Sequence, residues 1–255
     1  MHFPIDFHFG SLVIPSHLVF ELLAYTIGFR YFLYLRKNAE DLISSENRIW
    51  ILIGAAIGAL LFSRIIGILE NPELIKNSSA AVLIGNKTIV GGLLGGLLGV
   101  EITKKMIRVK TSSGDLMAYP IIVAIAIGRI GCFLTGLNDA TYGVPSALPW
   151  AIDFGDGIPR HPAQLYEIIF LIALFISLKL IEKKFALADG VRFKLFMVSY
   201  LLFRLLVEFI KPRFQYVFGL SLIQLVCIAG LIYYYRVLLF PKKLFIRTST
   251  SLVHG

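Results

Sequence analysis

Charge is what this sequence has least of. Only 16% of its 255 residues are Asp, Glu, Lys or Arg, against 57% hydrophobic residues, with a mean hydropathy of +0.78. A soluble domain of this size would need far more polar surface, so the composition excludes that class and points to the membrane. Cysteine is also scarce. Cys132 and Cys227 both fall in apolar runs, which excludes a disulfide framework. No Lys or Arg precedes the first apolar run and no small-residue cleavage site follows it, so a cleaved signal peptide is not expected there. No long linker divides the chain, which is expected to be one integral-membrane domain over 1–255. Metal-ligand spacing is absent too, and neither a metal nor a cofactor is expected.

Apolar runs of roughly 20 residues are long enough to cross a bilayer. The sequence predicts an all-α polytopic protein with seven of them, at about 17–35, 49–69, 88–103, 118–136, 164–181, 193–210 and 219–240. The third is short and rich in glycine. Basic residues then divide unequally between the two sides. The segments 36–48, 104–110, 183–194 and 242–247 hold fourteen Lys and Arg, whereas the opposite loops hold five: Lys76, Lys87, Arg160, Lys211 and Arg213. The positive-inside rule puts the N-terminus in the periplasm and the C-terminus in the cytoplasm. The net charge of +9 is therefore a topology signal, not a nucleic-acid footprint. The longest loop, 137–163, falls on the periplasmic side and carries "DFGDGIPRHP"; long Gly- and Pro-rich loops of this kind are more often functional than idle.

Six basic residues lie within or at the ends of spans. Arg30, Lys179 and Arg236 are near cytoplasmic ends, where long side chains reach back to the headgroups. Arg129, Arg204 and Arg64 are different. At 1.5 Å rise per residue they lie roughly 10, 9 and 8 Å below the outer ends of three separate spans. Each would cost about 2.5–3.5 kcal/mol facing lipid tails, so three in one layer imply an anion between the helices. Glu208, four residues after Arg204, shares its helix face and offers an internal ion pair. One carboxylate does not neutralise three guanidiniums, and the excess positive charge suits a phosphate, whose oxygens match the guanidinium fork. Gly128, Gly131 and Gly136 clear the helix surface around Arg129. "TIVGGLLGGLLG" sets Gly91, Gly95 and Gly99, and separately Gly92 and Gly96, four residues apart. Such stripes are chiefly helix-packing faces; lining a lipid cavity is the alternative.

The segments "GRIGCFLTG", "RHPAQLYE" and "YLLFRLLVEF", in this order on successive spans, resemble the prolipoprotein diacylglyceryl transferase family. "HFP", "AYTIGF", "TIVGGLLGG" and Gln224 in "GLSLIQLV" extend the likeness over most of the chain. The resemblance implies a seven-span enzyme of the bacterial inner membrane. It would move a diacylglyceryl group from phosphatidylglycerol to the lipobox cysteine thiol of a prolipoprotein and release glycerol phosphate, with no nucleic acid involved. It implies catalytic parts for Arg129, Arg204, Glu208, Tyr200 and His161. Arg64, Arg160, Gln164, Tyr166, Tyr25, Gly91, Gly92 and Gly131 would bind substrate. Arginines aimed at the leaving phosphate would act by preorganised electrostatics, and His161 has a suitable ordinary pKa for taking the thiol proton. The chain departs from the family pattern at Val90, where the family has His before Gly-Gly; at Cys132, where it has Asn; and at Leu137, where it has an acid, with Asp139 two positions on. Those departures leave a second reading open, a paralogue that binds or transports an anionic phospholipid or passes a glycerolipid group to another acceptor.

Overall fold

The computed structural model describes residues 3–10, 12–39, 41–70, 72, 85–212, 214–240 and 244–245. Of the basic residues that set the expected orientation, Lys76, Arg213, Lys242, Lys243 and Arg247 lie outside the described residues. A short antiparallel hairpin, β1 (Phe7–Phe9) and β2 (Leu12–Ile14), leads into α1 (Ser16–Lys37), followed by α2 (Ser45–Glu70), α3 (Ile89–Met106) and α4 (Asp115–Thr135). After a 3-10 turn and the strands β3 (Ile152–Asp153) and β4 (Pro159–Arg160) come α5 (Ala163–Lys184) and α6 (Val191–Val207). A second 3-10 turn at Glu208–Ile210 precedes α7 (Leu222–Tyr233) and the short α8 (Tyr235–Leu239).

The molecule is an all-α membrane protein. Helices α1, α2, α4 and α5 are long and apolar enough to cross a bilayer, and no more than 28% of the apolar window of any of them is buried. Leu22, Phe29, Ile57, Leu61, Ile172 and Leu206 point outward. A water-soluble protein would bury such side chains; here lipid tails cover them, and the helical hydrogen bonds keep the backbone between the helix ends satisfied. Each expected apolar run is a helix, with ends shifted by a few residues. The last differs more: it breaks at Tyr234 into α7 and α8.

Glycine decides which helices meet. A Cβ on Gly99 would lie 2.0 Å from the Gly54 carbonyl oxygen, and one on Gly58 would lie 2.2 Å from that of Gly95. The backbones of α2 and α3 therefore run antiparallel in direct contact. A Cβ on Gly28 would meet Ala124, and one on Gly131 would meet Phe20, which packs α1 antiparallel to α4. The core proper lies between α3, α4, α5, α6 and α7, around Tyr119, Leu171, Phe196, Leu201 and Cys227.

Polar caps fix the ends. Thr88 accepts a hydrogen bond from Gly91 N (3.2 Å) to start α3. Ser221 and Gln224 form a reciprocal capping box on α7. Gln224 Nε2 also donates to the Leu205 carbonyl (3.3 Å), tying α7 to α6. The α6 N-terminus is capped from another helix: the Asp115 carboxylate accepts from Gly190 N (2.6 Å) and Phe193 N (3.0 Å). Nearby, the Lys179 amine lies 4.1 Å from the centre of the Tyr119 ring.

Candidate functional site

Glu167 sits one turn into α5 and is 2% exposed. Its Oε2 forms an ion pair with Arg129 Nε of α4 (2.9 Å) and accepts a hydrogen bond from Arg204 Nη1 of α6 (3.2 Å). Its Oε1 accepts from the Tyr200 hydroxyl (2.6 Å). Arg204 Nη2 donates to Glu208 Oε2 (2.8 Å), so the i,i+4 pair expected on α6 is present. Two guanidiniums from different helices thus meet at one carboxylate oxygen. The count of one carboxylate among the arginines is corrected to two, because Glu167 contributes the second.

These groups stand at the wall of a cavity of about 1550 Å³, lined by Arg64, Arg129, Arg204, Glu208 and Lys211. The volume exceeds the roughly 300–1,000 Å³ of ordinary small-ligand pockets. Its lining mixes small residues, among them Ala55, Ala59, Gly92, Gly96 and Gly128, with larger apolar ones such as Leu93, Leu97 and Ile125. A Cβ on Gly128 would meet nothing within 4 Å. Two buried arginine nitrogens in this wall have no hydrogen-bond partner among the described residues: Arg64 Nη1 and Arg204 Nε. Buried donors without acceptors are costly, and an anion in the cavity would satisfy them.

The two glycine stripes of α3 divide between the two roles considered for them. Gly91, Gly95 and Gly99 pack on α2, whereas Gly92 and Gly96 line the cavity. Tyr25 lines it as well and donates to Glu21 Oε1 (3.3 Å). Gly131, expected to contact substrate, is instead covered by Phe20 and His17 of α1. Tyr200 lies behind the wall and reaches it through Glu167. Gln164 is 1% exposed, and neither side-chain polar atom has a partner among the described residues.

Residues 138–142 of the long loop line the cavity, whereas Arg160, His161 and, in the first turn of α5, Tyr166 fall outside its lining. Asp153 Oδ1 accepts hydrogen bonds from the amides of Gly155 (2.8 Å), Asp156 (3.1 Å) and Gly157 (3.0 Å). Arg160 is held by both Asp156 oxygens at 2.6 Å and lies over the Tyr142 ring. Its hydrogen bonds hold the Asp156 carboxyl below the ordinary carboxylate range. "DFGDGIPR" is thus spent on closing the β3–β4 hairpin, and Phe154 anchors it against Phe3 and Phe133. His161 Nδ1 lies 3.1 Å from the Tyr166 hydroxyl, which accepts from Trp150 Nε1 (2.8 Å). The His161 amide donates to the Val144 carbonyl (3.1 Å). Arg160, His161 and Tyr166 therefore stitch the loop together and do not line the cavity.

Glu167 is the residue that sequence reasoning missed, although a carboxylate inside an apolar span is itself a functional signal. Lys211, counted only as a loop charge, is buried and lines the cavity. A cluster of possible metal ligands also appears where no chain spacing suggested one: His17, Cys132 and Asp139 bring their ligand atoms within 4.8 Å of one another.

A family model described as prolipoprotein diacylglyceryl transferase matches residues 4–240. Among curated proteins, the phosphatidylglycerol–prolipoprotein diacylglyceryl transferase of Geobacter sulfurreducens is 33% identical over 227 residues, covering 82% of this chain and 82% of that protein. The protein of the same name from Actinobacillus pleuropneumoniae is 30% identical over 223 residues, covering 82% and 80%. That from Dehalococcoides mccartyi is 28% identical over 235 residues, covering 88% and 87%.

Proposed function

The chain belongs to the prolipoprotein diacylglyceryl transferase family, and from that premise we propose that it transfers the diacylglyceryl group of phosphatidylglycerol to a prolipoprotein cysteine. The observation that carries this reading is the meeting of Arg129 and Arg204 on Glu167 at the cavity wall. The proposed setting is a single seven-span domain of the bacterial plasma membrane, periplasmic at its N-terminus and cytoplasmic at its C-terminus. The alternation of antiparallel helices and the basic excess of segments 36–48, 104–110 and 183–194 support it.

In the reaction, sulfur attacks the glyceryl carbon that bears the phosphate ester. A C–S bond forms, the C–O bond breaks, and its electron pair passes to the phosphate oxygen. Negative charge gathers on the departing phosphate, so catalysis needs donors fixed there beforehand. Arg129 and Arg204 are that pair in our reading. Glu167 keeps two mutually repelling cations side by side, and Tyr200 orients Glu167 in turn. Arg64, whose Nη1 in the same wall has no partner among the described residues, would take the headgroup. The cavity's apolar lining would take the acyl chains.

The test uses purified protein in phosphatidylglycerol vesicles carrying labelled acyl chains, with a lipobox peptide as acceptor. Label should reach the peptide cysteine. Arg129→Ala should lower the rate by about 100-fold or more, while Arg30→Ala should leave it within about twofold, as exposed substitutions usually do. Absence of transfer, where the Geobacter sulfurreducens protein is active in the same vesicles, would overturn the proposal. Val90, buried where the resemblance places a histidine, favours one second reading, a binder without turnover. Phospholipid retained through purification with no transfer would support it.

A further inference from the structure

The arrangement described so far deals with the phosphate and leaves the thiol unprovided for. A cysteine thiol has a pKa of about 8.5 in water, so attack requires help in losing its proton. Tyr200 is committed to Glu167, Glu208 is paired with Arg204, and His161 does not line the cavity. A carboxylate held by a guanidinium is a weak base toward a thiol. Cys132 and Asp139 are engaged as well: Arg129 Nη1 donates to Cys132 Sγ (3.7 Å), and the Cys132 thiol is bonded to Asp139.

Among the described residues, one histidine lines the cavity. His17 stands in the first turn of α1, at the end that faces the periplasm in the proposed orientation, where a secreted precursor would arrive. Its side chain is 35% exposed, so an incoming group can reach it. Glu21, one turn further along α1, places Oε2 3.6 Å from His17 Nδ1. That carboxylate is itself held, its Oε1 accepting from the Tyr25 hydroxyl (3.3 Å) and from the Lys87 amine just before α3. A carboxylate facing Nδ1 favours the tautomer with the proton there and leaves the Nε2 lone pair open. Nε2 lies 3.9 Å from Asp139 Oδ2, beyond hydrogen-bond length. A base steadied through its far nitrogen is the arrangement that activates nucleophiles generally. The charges fit the same task. A protonated ring would lie between the carboxylates of Glu21 and Asp139, which stabilise it. Arg129 touches Cys132, whose sulfur is within 4.8 Å of the ring, and its positive charge favours a thiolate arriving there.

We propose that His17 takes the proton of the incoming cysteine thiol, forming a thiolate–imidazolium pair beside Arg129. The proposal rests on the transferase reading. The sulfur then attacks the glyceryl carbon, the C–O bond to phosphate breaks and its electron pair passes to the phosphate oxygen. His17 returns the proton to the departing glycerol phosphate and is regenerated. Arg129 thus stands next to the nucleophile on one side and the leaving group on the other. The rival base is Glu70 of α2, a buried residue of the same lining whose Oε1 has no partner among the described residues. It packs on α7, where its Oε2 accepts from the Ile223 amide (3.0 Å).

The experiment compares His17→Gln and Glu70→Gln with wild type in phosphatidylglycerol vesicles, using a lipobox peptide as acceptor. His17→Gln should lower transfer at pH 7 by about 100-fold or more, as loss of a general base does. It should keep the phosphatidylglycerol-induced rise in Tm, because the anion site is untouched. At pH 9.5 the deficit should shrink at least roughly tenfold, because a thiol with a pKa of about 8.5 ionises there unaided. A second readout needs no lipid. In tag-free full-length protein with 13C-labelled histidine, the His17 signal is the one that His17→Gln removes. At pH 8 the cysteine peptide should move that signal toward the imidazolium position, and the same peptide with serine for cysteine should not. A rate within about twofold of wild type in His17→Gln, a deficit equal at both pH values, the pH-dependent deficit appearing in Glu70→Gln instead, or a His17 signal indifferent to the peptide thiol would each overturn the proposal. Any of these alongside wild-type transfer would leave the transferase reading standing. A His17 signal that responds to the thiol in a protein without transfer would do the reverse.

Discussion

Replacing Glu167 with glutamine tests whether one carboxylate holds the anion site together. The substitution keeps the shape and a hydrogen-bond acceptor but removes the charge beneath both arginines. Two unit charges about 4 Å apart attract by about 4 kcal/mol at an effective dielectric of 20, and Glu167 makes two such pairs, at 2.9 and 3.2 Å. Arg204 keeps Glu208, so its loss is partial, whereas Arg129 keeps, among the described residues, its contact with Cys132. Breaking one partner of a buried pair costs about 3–5 kcal/mol. For a chain of this length that corresponds to a fall in Tm of roughly 6–20 °C, at 2–4 °C per kcal/mol. The assay is thermal unfolding in detergent, with and without phosphatidylglycerol. The lipid phosphate supplies the missing negative charge, so it should raise the Tm of Glu167→Gln by more than it raises that of wild type. Glu208→Gln, which leaves Arg204 bonded to Glu167, should show a smaller fall. If Glu167→Gln melts within about 2 °C of wild type, a fall smaller than about 1 kcal/mol predicts, the reasoning fails. It fails equally if the lipid stabilises both proteins by the same amount.

Other expectations follow from the glycines and the loop. Gly99→Ala would force a Cβ to within 2.0 Å of the Gly54 carbonyl oxygen and should destabilise the α2–α3 pair by about 1–3 kcal/mol or more, read as lower Tm and folded yield; Gly128→Ala, with open space before it, should fold normally. Asp156 is held by Arg160 below its ordinary value of 3.8. Its contribution to the β3–β4 hairpin is therefore complete above that value and lost as pH falls below it, through the lower folded value. Hydrogen exchange at Gly157 and Ile158 should accelerate over that acid range beyond the intrinsic pH effect, and Asp156→Asn should remove the step.

The helices were legible because lipid-facing surface demands unbroken apolar runs, and hydropathy alone located α1 and α2 to within a few residues. The break at Tyr234 left no such trace, since apolar residues resume at Val237–Leu239 beyond it. The anion site was half legible. A buried arginine is costly wherever it stands, so Arg129, Arg204 and Arg64 announced themselves. Glu167 did not, because its partners are 38 and 37 positions away in the chain and only helix packing brings them together. The loop misled for the opposite reason. Asp153, Asp156 and Arg160 have the chemistry of a binding motif, yet their spacing lets them satisfy one another within one hairpin. Likewise His17, Cys132 and Asp139 come from three elements whose separation in the chain resembles no metal motif.

The bare flank of α3 has a bearing on selectivity. Gly92 and Gly96 lie against Ala55 and Ala59 of α2, and the larger residues that line the chamber beside them, such as Leu93, Leu97 and Ile125, are flexible and apolar. A fatty tail would meet hydrocarbon side chains there that adapt to differing length and unsaturation. Discrimination would then fall wholly on the charged end of the donor, and the lipid anchors produced would mirror whatever mixture of tails the surrounding bilayer supplies.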